Sequence, residues 1–307
     1  MEIVTSLLEW IMSSYAVLIG FAVIGILYLI DLYANTQSEA CEPIYDYSLC
    51  NGPHIWDKLY RDANGRRQSP INVNTYAAIN VPIETCRQLF FGPSYHFPPS
   101  TMTLFNNGHN IIIDATWGPD LRPILKGGPL LHDYVFGNVT LRWGPTDDEG
   151  SEHMLDAKRY AMEMQLSFIK IENEVMPLRV NVLNAAKNGD LAYVSYFFMV
   201  TPVDNPYMEQ IVNNLENVKS VYASVNIEPM PLSLLAPGFN RKYLTYEGSL
   251  TYPPCTEGVL WILQPEALTI SRRQMKKFRK LTGANGLILN NTRPVQNLHE
   301  RNILFYD

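Results

Sequence analysis

Short runs of alternating apolar and polar residues recur through most of this chain. Clusters of Gly, Pro and Asn separate them, and such a pattern is typical of strands joined by tight turns. It predicts a mainly β (α+β) domain with a largely antiparallel sheet. The clearest runs are Thr101–Phe105, Asn110–Ala115, Val135–Trp143, Arg159–Ile171, Leu191–Val200 and Val259–Gln264.

Only two stretches of the chain have a helical pattern. Met208–Val218 places its apolar residues on one stripe after an Asn-Pro pair. Ser271–Leu281 opens with Ser271 and Gln274 at the spacing of a capping box. Both are expected to be helices on the surface of the sheet.

The first forty residues contain a long uncharged segment. Trp10–Ile30 has no charged residue and is bounded by Glu9 and Asp31. A helix of that length spans roughly 30 Å, which matches the hydrocarbon core of a bilayer. It predicts a transmembrane signal anchor, so the expected layout is a tail (1–9), a span (10–30), a linker (31–46) and a folded domain (47–307). A cleaved signal peptide and a buried core helix are the alternatives.

Composition excludes other classes of protein. The chain has 307 residues, 47% of them hydrophobic and 18% charged, with a formal net charge of -6. This charge argues against binding nucleic acid over the whole surface. No repeat or low-complexity tract is present, so the chain is expected to form one tethered globular domain.

Six short motifs follow one another along the chain. They are Gly65–Asn72 (GRRQSPIN), Asn106–His109 (NNGH), Leu125–Leu130 (LKGGPL), Gly150–His153 (GSEH), Gly248–Cys255 (GSLTYPPC) and Asn291–Gln296 (NTRPVQ). With these motifs in this order, the chain resembles the alpha-class carbonic anhydrases from residue 47 to residue 300. This resemblance implies one twisted, mostly antiparallel sheet of about ten strands, with a cavity that holds zinc on three histidines.

The three histidines implied by the resemblance are replaced. The family pattern His-x-His-Trp-Gly falls on Thr140 and Arg142, and the third histidine falls on Gln165. Zinc lowers the pKa of its bound water to about 7, and a hydroxide forms at neutral pH only on a held metal. The chain is therefore expected to hold no cofactor and to resemble the acatalytic carbonic anhydrase-related proteins.

Other positions of the family's site persist. The resemblance assigns Glu152 and Thr251 to orienting the zinc-bound hydroxide, His109 to shuttling protons, and Glu163 and Asn291 to supporting the histidines. Without a metal these catalytic positions are vestigial. They are expected to form a satisfied polar network.

Charge and bulk are expected to fill the former metal position. An unpaired buried charge costs about 3–5 kcal/mol, so Arg142 is predicted to pair with Glu163 or Glu152. Tyr193 and Tyr252 stand where the family usually carries smaller or aliphatic residues. They either narrow the cavity or mark local changes in packing.

Four cysteines bear on the compartment. In secreted and membrane-bound relatives the cysteine at position 255 pairs with one upstream of Gln-Ser-Pro, but Ala63 and Asn64 stand there. The possible disulfide partners are Cys41, Cys50, Cys86 and Cys255, and the pairing stays open. An even count after an apolar leader favours the extracytoplasmic side of a membrane, with free buried thiols as the alternative.

Two sequons and one basic run complete the motifs. Asn138-Val139-Thr140 lies on the former metal strand and Asn290-Asn291-Thr292 lies beside Asn291, so both are expected to occur by chance. A solvated helix face is the expected reading of the basic run, with an acidic partner as the alternative. The run comprises Arg272, Arg273, Lys276, Lys277, Arg279 and Lys280.

These observations predict a membrane-anchored, catalytically inactive carbonic anhydrase-related protein that acts as a binding or structural scaffold. The lipid bilayer is the expected partner of residues 10–30, a protein or membrane complex is the expected partner of the domain, and nucleic acid is not. One alternative is an active or residually active zinc carbonic anhydrase. The other is an accessory structural subunit of a larger membrane complex, its helix packed through small residues.

Overall fold

The computed structural model describes residue 26 and residues 45–82, 87–118, 121–171 and 181–307. Tyr45–Asp307 forms one compact unit. Within the described residues no helix is long and apolar enough to cross a bilayer. The predicted tail, the predicted span (apart from Ile26) and the predicted linker up to residue 44 lie outside them.

The described chain is built around a single twelve-stranded sheet. The sheet strands are β2 (Ile79–Val81), β3 (Phe90–Phe91), β4 (Thr101–Asn106), β5 (Ile111–Thr116), β6 (Ile124–Lys126), β7 (Tyr134–Trp143), β9 (Met162–Lys170), β10 (Leu191–Thr201), β11 (Ser224–Ile227), β12 (Tyr243–Ser249), β13 (Glu257–Ser271) and β16 (Leu304–Tyr306). Ten of these strands follow the order β11-β4-β5-β7-β9-β10-β13-β12-β16-β2, and β3 and β6 extend the sheet beside β7. The predicted mainly β class is confirmed, with twelve strands rather than about ten.

Two small pairs lie outside this sheet. They are β1 (Asn72–Val73) with β8 (Met154–Leu155), and β14 (Thr282–Gly283) with β15 (Gly286–Leu287). The predicted antiparallel character holds for most pairings of the main sheet, but β10 pairs with β13 in parallel, and β16 pairs with β2 in parallel. Alternation along one strand does not reveal the direction of its neighbour, so the sequence could not show these two pairings.

Within the described part of residues 45–307, five short helices surround the sheet. They are α1 (Trp56–Leu59), α2 (Val182–Asn188), α3 (Pro206–Asn214), α4 (Leu232–Leu235) and α5 (Arg272–Phe278), with 3₁₀ turns at Arg61–Asn64, Thr75–Ala77, Pro93–His96 and Leu215–Val218. Both predicted helices are present, and the predicted capping box of Ser271 and Gln274 opens α5. The sequence did not predict α2, which Asn181 caps.

The two faces of the sheet carry two different cores. Along β10, Ala192, Val194 and Phe198 pack in a first core, whereas Leu191 and Tyr193 pack in a second. Successive side chains of a strand point to opposite faces, which explains the separation. On β7 and β9, Leu141 and Met164 face the first core, so residues 140, 142, 163 and 165 share the opposite face.

The three arginines of the basic run on and just after α5 are paired within the domain. Arg272 and Arg279 each pair with Asp147, at 3.1 and 3.0 Å, and Arg273 pairs with Asp204 at 3.0 Å. The lysines of the run are exposed. Exposed pairs contribute little to stability, and this arrangement agrees with the predicted solvated face.

Candidate functional site

A row of polar side chains crosses β7 and β9 on the face of the second core. Thr140 lies opposite Gln165, and Arg142 lies opposite Glu163. All four residues are buried. Burial of a polar side chain costs free energy unless the side chain is hydrogen-bonded. The sheet therefore brings Thr140, Arg142 and Gln165, the three positions that the resemblance assigns to histidines, together on one face.

Arg142 occupies the centre of this row. Its Nε lies 3.4 Å from Glu152 Oε2 in an ion pair whose two side chains are inaccessible to solvent. Its Nη1 donates to the Tyr47 hydroxyl at 3.0 Å, and the guanidinium lies 5.5 Å from the centre of the Tyr252 ring. The predicted pairing of Arg142 is confirmed, with Glu152 as its partner.

The charge of Arg142 is permanent. Burial by itself lowers the pKa of Arg142, but Glu152 together with Tyr47, Tyr45 and Tyr252 outweighs burial and raises the pKa above its ordinary value. The guanidinium thus stays positive at every accessible pH. Its Nη2 has no hydrogen-bond partner within the described part of the chain.

Glu163 collects five hydrogen bonds. Its Oε1 accepts from Ser195 Oγ at 2.6 Å and from Gln165 Nε2 at 3.0 Å, and lies 2.8 Å from His153 Nδ1. Its Oε2 accepts from the backbone N–H groups of residues 152 and 153 at 2.9 and 2.8 Å. Burial raises the pKa of Glu163, but His153 and the hydrogen bonds outweigh it and leave the pKa at about 2.

The second carboxylate, Glu152, is equally engaged. Its Oε1 accepts from the backbone N–H of Arg293 at 3.0 Å, and its Oε2 accepts from Gln165 Nε2 at 2.8 Å in addition to facing Arg142. The Thr251 hydroxyl is buried and lacks a hydrogen-bond partner among the described residues. The expectation of a satisfied polar network is therefore wrong for Thr251.

Aromatic side chains cover His109. Its ring stacks on Tyr45 with centroids 4.2 Å apart and planes at 14°, and Tyr45 in turn packs edge-on against Trp56. Burial lowers the pKa of His109, and the charge of Arg142 lowers it further. His109 is a neutral ring within an aromatic cluster, and that arrangement is poor for exchanging protons with water.

Tyr193 and Tyr252 lie on the same side of the sheet as Arg142. Tyr193 is buried and stacks on Trp261, with centroids 4.9 Å apart and planes at 15°. The two tyrosines share a hydrogen bond, and burial raises the pKa of each above its ordinary value. They bring two neutral bulky rings into the region that the sequence predicted to be narrowed.

Asn291 holds the end of β7 in place. Its Oδ1 accepts from the backbone N–H of Trp143 at 2.8 Å, and its Nδ2 donates to the carbonyl oxygens of Leu141 and His109 at 3.2 and 3.1 Å. The contacts of its side chain are with backbone groups, and its own backbone carbonyl accepts from Arg142 Nη1 at 3.4 Å. Asn291 is therefore a structural residue of this face.

Several residues of the site escaped the sequence reasoning. Tyr47, Ser195 and Arg293 complete the network around Arg142 and the two carboxylates. His153 lies 2.6 Å from the hydroxyl of Tyr246, which extends the chain of contacts from Glu163. His153 belongs to the Gly150–His153 motif and Arg293 to the Asn291–Gln296 motif, so the sequence could have indicated both. Tyr47 and Ser195 carry no local signal.

The described cysteines do not form the disulfide that the sequence left open. Cys50 is an exposed free thiol and Cys255 a buried one. Burial raises the pKa of Cys255 to about 12, so this thiol is protonated and unreactive. The pairing of Cys50 with Cys255, one of those that the sequence left open, is therefore not formed. Cys41 and Cys86 lie outside the described residues.

The donor set fits zinc poorly. Zinc in proteins takes imidazole nitrogen, thiolate or carboxylate oxygen, whereas this face presents a hydroxyl, a guanidinium and an amide at 140, 142 and 165. Both nearby carboxylates are already bonded, and the guanidinium would repel a dication. Nowhere in the described ranges are three or more His, Cys, Asp or Glu side chains arranged to hold a metal ion.

Comparison with known proteins agrees with the fold and the motifs. Residues 51–307 match the family model of the eukaryotic-type carbonic anhydrases. Over 237 residues the chain is 34% identical to carbonic anhydrase 7 of Mus musculus, which covers 77% of this chain and 85% of that relative. These matches confirm the resemblance that the six motifs predicted.

Proposed function

The chain belongs to the eukaryotic-type carbonic anhydrase family, and we propose that it keeps the family's fold as a binding or structural scaffold without zinc catalysis. Carbonate dehydratase is the activity of that family. The proposal concerns the folded domain, whose polar face differs in charge from a three-histidine site.

The Arg142–Glu152 ion pair is the observation that carries this proposal. A fixed positive charge lies where the family's ligands would have to hold a dication, and Glu152, its counter-charge, is inaccessible to solvent. Two unit charges of the same sign 4 Å apart repel by about 4 kcal/mol even at an effective dielectric of 20. Binding zinc would also require Arg142 to abandon its carboxylate.

The surrounding rings support the same proposal. Tyr47 bonds to Arg142, Tyr252 lies beside the guanidinium, and Tyr45 stacks on His109. A reaction at this centre would need a path for carbon dioxide and a path for protons. Both would have to pass through well-packed aromatic side chains.

We further propose that residues 10–30 anchor the protein in a bilayer, with the domain on the extracytoplasmic side and a protein partner bound to it. The uncharged segment supports the anchor, since it has the length of a membrane span. Loss of a catalytic centre leaves the surface of the domain as the part that can bind specifically.

Metal analysis and a hydration assay test the proposal. Full-length protein purified in detergent in the presence of zinc is expected to carry well under one zinc per chain and to leave the rate of carbon dioxide hydration at the uncatalysed level. Stoichiometric zinc together with fast hydration would overturn the proposal. That result would favour an active enzyme, the function named in its relative carbonic anhydrase 7.

A triple variant serves as the matched control. Thr140→His, Arg142→His and Gln165→His together place three imidazoles on one face, as zinc requires. This variant is expected to bind zinc with hydration that stays slow until Tyr193 and Tyr252 are also made smaller. The single variant Arg142→His, which lacks the other two ligands, is expected to remain without stoichiometric zinc.

A partner-capture experiment separates a receptor-like domain from a complex subunit. Full-length protein and protein lacking residues 1–34 are compared for what co-purifies from detergent extracts. Partners retained by both forms support recognition by the domain. Loss of every partner from the shortened form would favour assembly through the helix instead.

A further inference from the structure

The second sequon lies where the chain leaves the small β14–β15 pair. Asn290, Asn291 and Thr292 belong to an irregular segment without helix or strand structure. Asn291 and Thr292 are buried, whereas Asn290 is partly exposed. Because the inward position is taken by Asn291, which holds Trp143, the side chain of Asn290 is left at the surface.

A local turn arranges the side chains of this sequon. Asn290 Oδ1 accepts from the backbone N–H of Thr292 at 3.2 Å and from its hydroxyl at 2.7 Å. These two contacts satisfy the amide oxygen and turn the amide nitrogen away from Thr292. No hydrogen bond joins Nδ2 of Asn290 to any other described residue.

A surface cleft opens beside Asn290. Its volume is about 300 Å³, and its lining consists of Pro145, Glu149, Arg159, Asn290, Thr292 and Pro294. That volume is at the lower end of the range for clefts that hold small molecules. Two prolines offer apolar surface, and a carboxylate and a guanidinium offer hydrogen bonds, so the cleft suits the ring and hydroxyls of one sugar.

The first sequon is built differently. Asn138 lies within β7, a central strand, and its Oδ1 accepts from the hydroxyl of buried Ser167 at 3.0 Å. The backbone N–H of Asn138 donates to Ser167 Oγ at 2.9 Å, and Thr140 faces Gln165 inside the domain. Asn138 is partly exposed like Asn290, but it is bonded to Ser167 within a strand that pairs with β9 on one side and with β5 and β6 on the other, so a glycan there would meet paired strands on both sides.

We propose that Asn290 carries an N-linked glycan whose first sugar rests in this cleft, and that Asn138 carries none. Nδ2 of Asn290 loses a proton and bonds to the anomeric carbon of an oligosaccharide donor held on a polyprenyl pyrophosphate, and the lipid pyrophosphate leaves. The first sequon is still expected to occur by chance, whereas the second is a modification site. The modification requires the domain to face the lumen of the secretory pathway.

Enzymatic deglycosylation tests the proposal. The full chain and its variants are expressed in a eukaryotic cell and treated with peptide N-glycosidase, and mobility is compared before and after. The wild type and Asn138→Gln are expected to shift by one glycan, whereas Asn290→Gln and Thr292→Ala are expected not to shift. Thr292→Ser keeps the sequon and is expected to shift like the wild type.

Peptide mass spectrometry on the wild type gives an answer that no variant's folding can disturb. Deglycosylation converts a glycosylated asparagine to aspartate, and this conversion is expected at residue 290 and absent at residue 138. An unshifted wild type, or a shift that survives in Asn290→Gln, would overturn the proposal. Neither outcome depends on zinc content or hydration, so it stands apart from the scaffold proposal.

Discussion

One side chain changes the chemistry of the whole site. A neutral imidazole at position 142 would offer a lone pair to a metal, whereas Arg142 offers only donors and a permanent charge. The guanidinium takes Glu152 as its counter-ion and Tyr47 as an acceptor. The charge of Arg142 therefore holds Glu152 and Tyr47 in place.

Removal of that charge is expected to destabilise the domain strongly. Arg142→Met leaves Glu152 buried without its counter-charge, and breaking a buried pair in this way typically costs about 3–5 kcal/mol. Urea unfolding at neutral pH is the measurement. The double variant Arg142→Met with Glu152→Gln should regain part of the loss, since no lone charge remains.

The exposed pair of Arg272 and Asp147 supplies the control for this experiment. Arg272→Met should cost no more than about 1 kcal/mol, because water screens an ion pair whose arginine side chain is 78% exposed. Equal costs for Arg142→Met and Arg272→Met would contradict a central role for the buried pair.

Glu163 joins separate elements of the fold. It belongs to β9, accepts from Ser195 on β10, and accepts from the backbone of the loop that leads into β8. His153 of that loop also forms a hydrogen bond with the Tyr246 hydroxyl on β12. Since these contacts favour the ionised carboxylate, they tie the position of several strands to its charge.

The stability of this arrangement is expected to fall in acid. The pKa of Glu163 is about 2 in the folded protein against an ordinary value of 4.5. A carboxyl with a lowered folded pKa stabilises the fold above its unfolded pKa, and this contribution is lost as pH falls through the folded one. The wild type should therefore lose free energy of unfolding between about pH 5 and pH 2.

Glu163→Gln tests this pH dependence. It should be less stable than the wild type at neutral pH and should show a shallower loss between pH 5 and pH 2, as measured by urea unfolding at a series of pH values. Glu300→Gln is the control, because Glu300 is 92% exposed and pairs only with an exposed arginine. A profile for Glu163→Gln that parallels the wild type would remove Glu163 from this role.

The compact unit of the molecule begins with the aromatic residues that cover its polar face. Tyr45 and Tyr47 pack against Trp56, and Tyr45 also packs against His109. The residues at the end of the predicted linker (31–46) and at the start of the domain are thus part of the domain's packing. Removing them should affect the domain, whereas removing the residues before them should affect only its location.

Two truncations test that division. The fragment 45–307 is expected to unfold cooperatively and to leave the membrane fraction, while the full chain stays with membranes after alkaline extraction. The fragment 57–307 lacks Tyr45, Tyr47 and Trp56 and should melt at a distinctly lower temperature. Equal melting temperatures for the two fragments, or retention of 45–307 on membranes, would be incompatible with this division between anchor and domain.

Much of the site could be predicted because the strand period places alternate residues on one face. The pattern of β7 and β9 put residues 140, 142 and 165 together, and the requirement to pair a buried charge predicted a carboxylate beside Arg142. Glu152 and Glu163 could not be distinguished, since both are carboxylates close to the same face. Glu152 rather than Glu163 pairs with Arg142 because Ser195, His153 and backbone groups already occupy the oxygens of Glu163.

The sequence by itself determined the class of the fold, the identity of the family and the residue types at positions 140, 142 and 165. Each of these is written locally, in alternation, in motif order and in residue type. Only the tertiary structure decided which strands run parallel, which carboxylate pairs with Arg142, and that Tyr47 reaches its guanidinium. These depend on contacts between residues far apart in the chain, and no local pattern records such contacts.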